Sequence, residues 1–264
     1  MKTRLAALMM LGALSASEAV AQQPRAQSMT RSAPVLAPAE TLQAGAPALG
    51  TYTDTVLGEL WQRTDLSPRD RSMATVAALI AGGNSEMLPS SLERALDSGV
   101  KTSELNEIIA HLAFYTGWPN AVSAAAVAKG VFTARGIGSD QLSSGPTELA
   151  KEEEAARKQR MAYVQQTYGE ASPALVEYTN DVLFGQVWRR PGLAPRDRSL
   201  VTISALIASG KSAQLGGHLP RGLDNGLTRA EASGIIAHLA FYAGWPNAVS
   251  AAAVAKTVFE RRPN

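Results

Sequence analysis

A long internal repeat constrains the fold of this chain more than any other feature of its sequence. Trp61–Phe132 aligns without a gap with Trp188–Phe259 at an offset of 127 residues, and about 45 of the 72 aligned pairs are identical. The residues before each segment also match, with one residue inserted in the second copy. A self-match of this length predicts two structural repeats in tandem.

Each repeat carries the signals of helices and no convincing strand. In the second copy, Pro195 stands near a first turn, and Gly210 stands where that helix would end. Thr228 and Glu231 have the spacing of a capping box. The segment around Pro220 is predicted as a shorter helix that glycines and the proline interrupt. Five helices per repeat predict an all-α fold built from two tandem helical repeats.

Composition divides the rest of the chain. Residues 1–21 have a short basic start, an apolar run and an Ala-Val-Ala cleavage site, which predict a signal peptide and a periplasmic or secreted protein. Residues 22–46 are rich in Pro, Ala, Gln and Ser and are predicted to be a disordered lead-in. The repeats are predicted over residues 47–135 and 171–264, and residues 136–170 are predicted to be a linker with a charged connecting helix.

Charge and composition exclude several classes of partner and chemistry. The formal net charge is +2, and no basic run is interleaved with aromatic residues, so no nucleic-acid partner is expected. No segment after the apolar start reaches the ~20 uninterrupted apolar residues of a spanning helix, so no stable membrane insertion is expected. The chain has no cysteine, which excludes disulfides and thiol chemistry.

Three histidines are the candidate acid–base groups. His111 and His238 occupy equivalent positions, whereas His218 has no twin because the first repeat has Ser91 there. The two repeats share the same packing pattern and differ in this titratable residue. Such a difference predicts a functional site in one repeat and a structural role for the other. His218 is therefore a candidate general acid or base, and an exposed loop histidine is the alternative.

A second candidate is the row formed by Glu231, His238 and Tyr242. His238 lies seven residues after Glu231 and four before Tyr242, so the three share one helical face and could form a proton relay. The alternatives are a core histidine, which the identity with His111 favours, and a glutamate that only completes the capping box. No histidines have the spacing of metal ligands, so no metal site is expected.

Basic and aromatic residues of the second repeat are candidates for substrate binding. Arg196 and Arg198 could hold a substrate carboxylate, and the alternative is a charge cluster with internal ion pairs at a helix start. Trp188, Tyr242 and Trp245 could line an apolar pocket, and packing is the alternative for each of them. The sequence leaves both pairs of alternatives open.

Both repeats resemble the carboxymuconolactone decarboxylase family, whose fold is shared with the alkylhydroperoxidase D proteins. The resemblance rests on the strings "LAPRDRSLVTISALIASGK", "HLPRGLDNGLTRAE" and "IIAHLAFYAGWPNAVSA". It implies an alkylhydroperoxidase D-like helical fold and a homo-oligomer, which for a two-repeat chain is a trimer. The peroxidase branch has two cysteines whose places fall here on Ala243 and Pro246, so thiol peroxidase activity is not expected.

The decarboxylase branch lacks those cysteines, and the second repeat resembles it best. This resemblance implies removal of the carboxylate of a γ-lactone, 4-carboxymuconolactone, without a cofactor. It also implies that His218 and Glu231 handle protons and that Arg196 or Arg198 holds a carboxylate. We therefore expect an exported carboxy-lyase or isomerase that acts on a small carboxylated lactone or similar acid. The alternative is a non-catalytic ligand-binding or scaffold oligomer that has lost the thiol peroxidase site.

Overall fold

The structure, a computed structural model, describes residues 39–142 and 148–262. Every regular element within those ranges is a helix, which confirms the all-α fold. The predicted signal peptide lies outside the described residues, and the predicted lead-in overlaps them only at its end, where Ala39–Gly45 forms a helix. Within the described ranges, no helix is both long enough and apolar enough to span a bilayer.

The helices follow the two-repeat order of the sequence. Helix α1 (Ala39–Gly45) precedes the first copy, which contains α2 (Pro47–Tyr52), α3 (Gly58–Gln62), α4 (Pro68–Ala81), α5 (Leu88–Asp97), α6 (Thr102–Thr116) and α7 (Trp118–Ala134). A connecting helix, α8 (Glu154–Tyr168), leads to α9 (Pro173–Tyr178), α10 (Pro195–Ala208), α11 (Leu215–Asp224), α12 (Arg229–Ala243) and α13 (Trp245–Glu260). Short π-helical segments follow α2 and α9 at Thr53–Leu57 and Thr179–Phe184, and 3₁₀ turns lie at Ser139–Gln141, Val187–Arg189 and Ser212–Gln214.

Local signals in the sequence account for where several helices begin and end. Thr228 and Glu231 form the predicted capping box at the start of α12. Helices α6 and α12 end at Gly117 and Gly244, whose φ angles of +88° and +85° favour glycine. Each glycine is followed by Trp-Pro, which begins the next helix, since proline suits a first turn. The most strongly duplicated string therefore encodes a helix–turn–helix unit.

Helix α11 runs without a break through Pro220, although the sequence predicted an interruption. One of its glycines has a packing role instead. A Cβ on Gly222 would lie 2.9 Å from Cδ1 of Ile203 and 3.0 Å from Cδ1 of Leu227. The glycine thus allows α11 to lie close to α10, and this contact holds the helix that carries His218.

The core lies between the repeats, and helices pack across their boundary as well as within each repeat. Helices α4 and α10 pack along each other, α6 of the first repeat packs on α10, and α12 of the second packs on α4. Side-chain contacts are reciprocal: Trp61 Nε1 donates to the Tyr242 hydroxyl at 3.0 Å, and Trp188 Nε1 donates to the Tyr115 hydroxyl at 2.8 Å. Such reciprocity relates the two halves by an approximate twofold axis.

Two arginines are buried at this interface, and each has a carboxylate partner. Arg71 and Arg198 are 1% and 0% exposed. Arg71 pairs with Asp65 of its own repeat at 3.1 Å, from Nη2 to Oδ1. Arg198 pairs with Glu107 of the other repeat at 2.9 Å, from Nη2 to Oε2. The counter-charge of the buried arginine thus comes from different positions in the two halves.

A glycine stands in each half where the other half has the carboxylate. The twin of Asp65 is Gly192, where an added Cβ would lie 2.6 Å from Cγ of Glu107. The twin of Glu107 is Gly234, where an added Cβ would lie 3.3 Å from Cγ of Asp65. Each carboxylate therefore occupies the space that the glycine opposite it leaves free.

The two halves allow a direct test of this exchange of counter-charges. We expect Glu107→Gly to lower the free energy of unfolding by about 3–5 kcal/mol, because it leaves Arg198 buried without an anion. Gly192→Asp alone should also destabilise, because its side chain would collide with Glu107. The double variant copies the first repeat and should recover most of the loss. Urea unfolding measures all four proteins, and losses that simply add would contradict the compensation.

Candidate functional site

A pocket of about 720 Å³ lies beside α11, and its walls come from three parts of the chain. The first repeat contributes Tyr115, the connecting helix α8 contributes Arg160, and the second repeat contributes Phe184, His218 and Arg221. The remaining wall residues are Tyr163, Val164, Tyr168, Thr179, Leu183, Ala213, Gln214, Gly216 and Gly217. We call this cavity the His218 pocket, and neither repeat alone could form it.

Helix α11 places His218 between two aromatic rings. The imidazole lies nearly parallel to Trp188, at 6.2 Å between ring centroids and 19° between planes. It meets Tyr115 edge-on, at 5.4 Å and 82°. Because Trp188 Nε1 donates to the Tyr115 hydroxyl, the two rings that flank His218 are fixed to each other. The Nδ1 atom of His218 is buried and has no hydrogen-bond partner among the described residues.

His218 is a neutral imidazole at pH 7. Burial, with a smaller contribution from the positive charge of Arg221, lowers the pKa of His218 from 6.5 to about 4. A neutral ring has one nitrogen that donates and one that accepts. In the pocket without a ligand, the neutral imidazole of His218 can therefore form a hydrogen bond with a ligand. An anion bound nearby would favour protonation of this ring.

Arg221 brings a positive charge to the pocket without a carboxylate partner. Its guanidinium carbon lies 4.7 Å from the ring centroid of Phe184 and 5.1 Å from that of Trp188. Within the described ranges its guanidinium lies in no ion pair, and Glu152 and Asp224 act on it only at longer range. Contacts with aromatic faces orient a guanidinium and leave its N–H groups free for an anion.

His111 lies behind the pocket and has a structural environment. Thr202 Oγ1 donates to the carbonyl oxygen of Arg198 at 2.7 Å, so it accepts from His111 Nε2 at 2.8 Å. This fixes the ring with its proton on Nε2. His111 is 0% exposed, and burial above all holds its pKa well below the usual value, so it stays neutral.

His238 has the equivalent environment in the other half. Its Nε2 lies 2.7 Å from Thr75 Oγ1, which itself donates to the carbonyl oxygen of Arg71. Arg71 Nη1 lies 3.4 Å from His238 Nδ1, which the same tautomer leaves free to accept. Burial is also the main cause of the lowered pKa of His238. These contacts fit the core-histidine alternative of the sequence analysis.

The place equivalent to the His218 pocket is filled in the first repeat. Ser91, which replaces the histidine there, is buried. Leu57, Leu60 and Trp61 form a buried apolar cluster against Tyr242. The duplication therefore produces one open pocket and one packed counterpart.

The structure distributes the predicted site residues over five places. His218 lines the pocket, and Trp188 contacts His218 without lining the pocket itself. His238 and Tyr242 lie in the packed counterpart of the first repeat, and Arg196 and Glu231 lie in an ion-pair cluster between the repeats. Arg198 is buried against Glu107. Trp245 lies on the surface with 58% of its area exposed.

Glu231 and Arg196 bind each other. Arg196 Nη2 lies 2.6 Å from Glu231 Oε1 and 2.8 Å from Asp70 Oδ2 of the first repeat. The other oxygen of Glu231 accepts from the Thr228 backbone N–H at 2.8 Å. The predicted relay of Glu231, His238 and Tyr242 is not formed, because Glu231 turns to these partners and His238 bonds elsewhere.

The sequence analysis missed four pocket residues, and three of them left a signal. Arg221 follows His218 by three residues and so shares its helical face. Phe184 stands at the single insertion in the second copy. Tyr115 is the twin of Tyr242, and the packing of α6 on α10 places the first-repeat tyrosine in the pocket. Arg160 lies on the charged connecting helix, which the sequence gave no reason to examine.

Comparisons with known proteins agree with the two-repeat organisation. The sequence profile of the carboxymuconolactone decarboxylase family matches residues 47–130 and 173–257. The 4-carboxymuconolactone decarboxylase of Acinetobacter baylyi is 43% identical over 77 residues, which are 29% of this chain and 58% of that protein. The nitrosuccinic acid decarboxylase of Metarhizium robertsii is 35% identical over 75 residues, 28% of this chain and 52% of that protein. The chain thus spans little more than half the length of these relatives.

The lowered histidine pKa values predict how stability depends on pH. Because folding lowers the pKa values of the three histidines, the unfolded chain binds more protons than the folded chain below about pH 6.5. The free energy of unfolding therefore decreases as the pH is lowered through that range. The contribution of His218 levels off near pH 4. We expect His218→Gln to show a smaller loss than the wild type between about pH 6.5 and 4.5, above the carboxylate range. Urea unfolding tests this with Ser91→Ala as the twin control, and equal slopes for all three proteins would contradict it.

Proposed function

The chain belongs to the carboxymuconolactone decarboxylase family, and on this basis we propose that it is a cofactor-free carboxy-lyase for a small carboxylated lactone or related acid. The observation that carries the proposal is that the unduplicated His218 and the unpaired Arg221 line one pocket. Both relatives are decarboxylases by name, which supports this reaction class. We propose that decarboxylation occurs in the His218 pocket and not in the packed counterpart in the first repeat.

In this proposal Arg221 binds a carboxylate of the substrate. The aromatic faces of Phe184 and Trp188 hold the guanidinium in place, so little side-chain freedom is lost on binding. The partly buried site also strengthens the attraction between the guanidinium and the anion. Arg196 and Glu231 have a structural role here, because each already satisfies the charge of the other.

His218 supplies the proton that replaces CO2. When the carbon–carboxylate bond breaks, its electron pair moves into the lactone carbonyl and forms an enolate, which the site must stabilise. A bound anion raises the pKa of His218, because negative charge favours the imidazolium form. The imidazolium then protonates the carbon framework and regains a proton from solvent. One proton is consumed for each CO2 released.

Activity on 4-carboxymuconolactone tests the proposal. We expect the purified protein to release CO2 with a matching ultraviolet change, and His218→Ala to lose at least about 100-fold in kcat. Ser91→Ala removes the twin side chain, far from the reaction, and should leave kcat unchanged. Absence of turnover would overturn this substrate. Ligand-induced stabilisation without product would favour the non-catalytic binding protein instead.

We also propose that the chain forms a homo-oligomer, for which a trimer is the expected form. Two repeat-related apolar faces on α6–α7 and α12–α13 support this. Trp118 and Trp245 are each 58% exposed, and Val122 and Val249 are each 62% exposed. Beside Trp245 lies an apolar groove of about 560 Å³. Paired apolar patches of this kind are typical of interfaces.

The assembly is tested at these two faces. We expect the wild type to sediment as an oligomer and the double variant Trp118→Asp/Trp245→Asp to sediment as a monomer, because buried aspartates would lack partners. Sedimentation velocity measures the mass of both. A matched control, Lys129→Asp/Lys256→Asp, changes exposed charges on the same two helices and should keep the assembly. A monomeric wild type would contradict the proposal.

A further inference from the structure

The connecting helix α8 forms one wall of the His218 pocket, although it lies outside both segments that the family profile matches. We infer that Arg160 on this helix is a specificity-determining residue, which selects substrates that carry a second anionic group in addition to the carboxylate bound by Arg221. The inference rests on the proposed function, because it takes the His218 pocket as the substrate site.

Two guanidinium groups lie over one aromatic ring in this pocket. The guanidinium carbons of Arg160 and Arg221 are 4.8 Å and 4.7 Å from the ring centroid of Phe184. Phe184 stands at the insertion, so the first repeat has no equivalent arrangement. Burial above all, and also the charge of Arg160, lowers the pKa of Arg221, so the two like charges repel each other. An anion bound beside them would relieve that repulsion.

The charges around the pocket leave room for such an anion. None of its lining residues is an aspartate or glutamate. Arg160 forms an ion pair with Glu152, just before α8, whereas Arg221 forms none within the described part of the chain. The carboxylates of Glu152 and Asp224 act on Arg221 only from beyond ion-pair distance. An anionic ligand would supply the missing negative charge.

Arg160 also has an unused donor. Its side chain is only 10% exposed, yet its Nε atom has no hydrogen-bond partner among the described residues. A buried donor without a partner destabilises a protein unless a ligand or water satisfies it. The atom has almost no accessible surface without a ligand, so a carboxylate or similar oxyanion in the pocket would reach it only after a small movement of the Arg160 side chain. Arg160 therefore has a donor that its ion pair with Glu152 leaves unused.

Binding of non-reacting diacids by the full chain tests the inference. Calorimetry compares adipate, which has two carboxylates, with its monomethyl ester, which has one. We expect the wild type to bind adipate more tightly than the ester. Arg160→Gln should weaken adipate binding at least about tenfold, because one charge-assisted contact is lost, and should leave binding of the ester unchanged. Arg157→Gln, an exposed change on the same helix, is the matched control and should bind both ligands like the wild type.

A second variant separates recognition from structural support. Glu152→Gln removes the competing carboxylate, so we expect tighter adipate binding, opposite in sign to Arg160→Gln. If both variants weaken binding, the ion pair only supports α8 and the inference is wrong. It is also wrong if the wild type does not prefer adipate to the ester, including the case in which neither binds.

The outcomes for the inference and for the proposed function are distinct. Turnover of 4-carboxymuconolactone without an Arg160-dependent preference for adipate would overturn the inference and leave the decarboxylase proposal standing. An Arg160-dependent preference without turnover would overturn the proposed reaction and support the anion-selective pocket.

Discussion

The ion pair between Arg198 and Glu107 ties the repeats together at the point where the pocket is built. Arg198 belongs to α10 of the second repeat and Glu107 to α6 of the first, so the pair forms only when these helices pack. The same packing brings Tyr115, about two turns further along α6, against Trp188 and His218. A single repeat would have neither the counter-charge nor this wall of the pocket.

In the proposed function, duplication separates the structural framework from the reacting site within one molecule. Hydrogen bonds between histidine and threonine and between tryptophan and tyrosine occur in both halves. Their presence in each repeat indicates that they stabilise the fold of the repeat. The pocket instead depends on features that only one half has: His218, the inserted Phe184 and the helix that carries Arg160. His218, which only one copy has, is therefore a stronger functional candidate than the duplicated histidines, which are buried in the core.

The sequence predicted the parts of the structure that local patterns determine. Periodicity, the capping box and the Gly-Trp-Pro turns are local, and they account for the helices and for the two repeats. The packing of helices across the two repeats is not local. It explains why the sequence made Tyr242 a candidate, whereas its twin Tyr115 lines the pocket. The reciprocal positions of Asp65 and Gly192 were visible as differences between the copies, but only the packing shows that Glu107 fills the place of the missing carboxylate.

The electrostatics of the pocket link binding to proton transfer. Without a ligand, burial and the charge of Arg221 keep His218 neutral, which avoids a third positive charge beside two arginines. In the proposed reaction, a bound anion would offset that positive potential and raise the pKa of His218, which favours the imidazolium. Each further negative group raises the pKa of His218 more. A second anionic group held by Arg160 would therefore strengthen binding and also promote the protonated state that the proposed reaction uses.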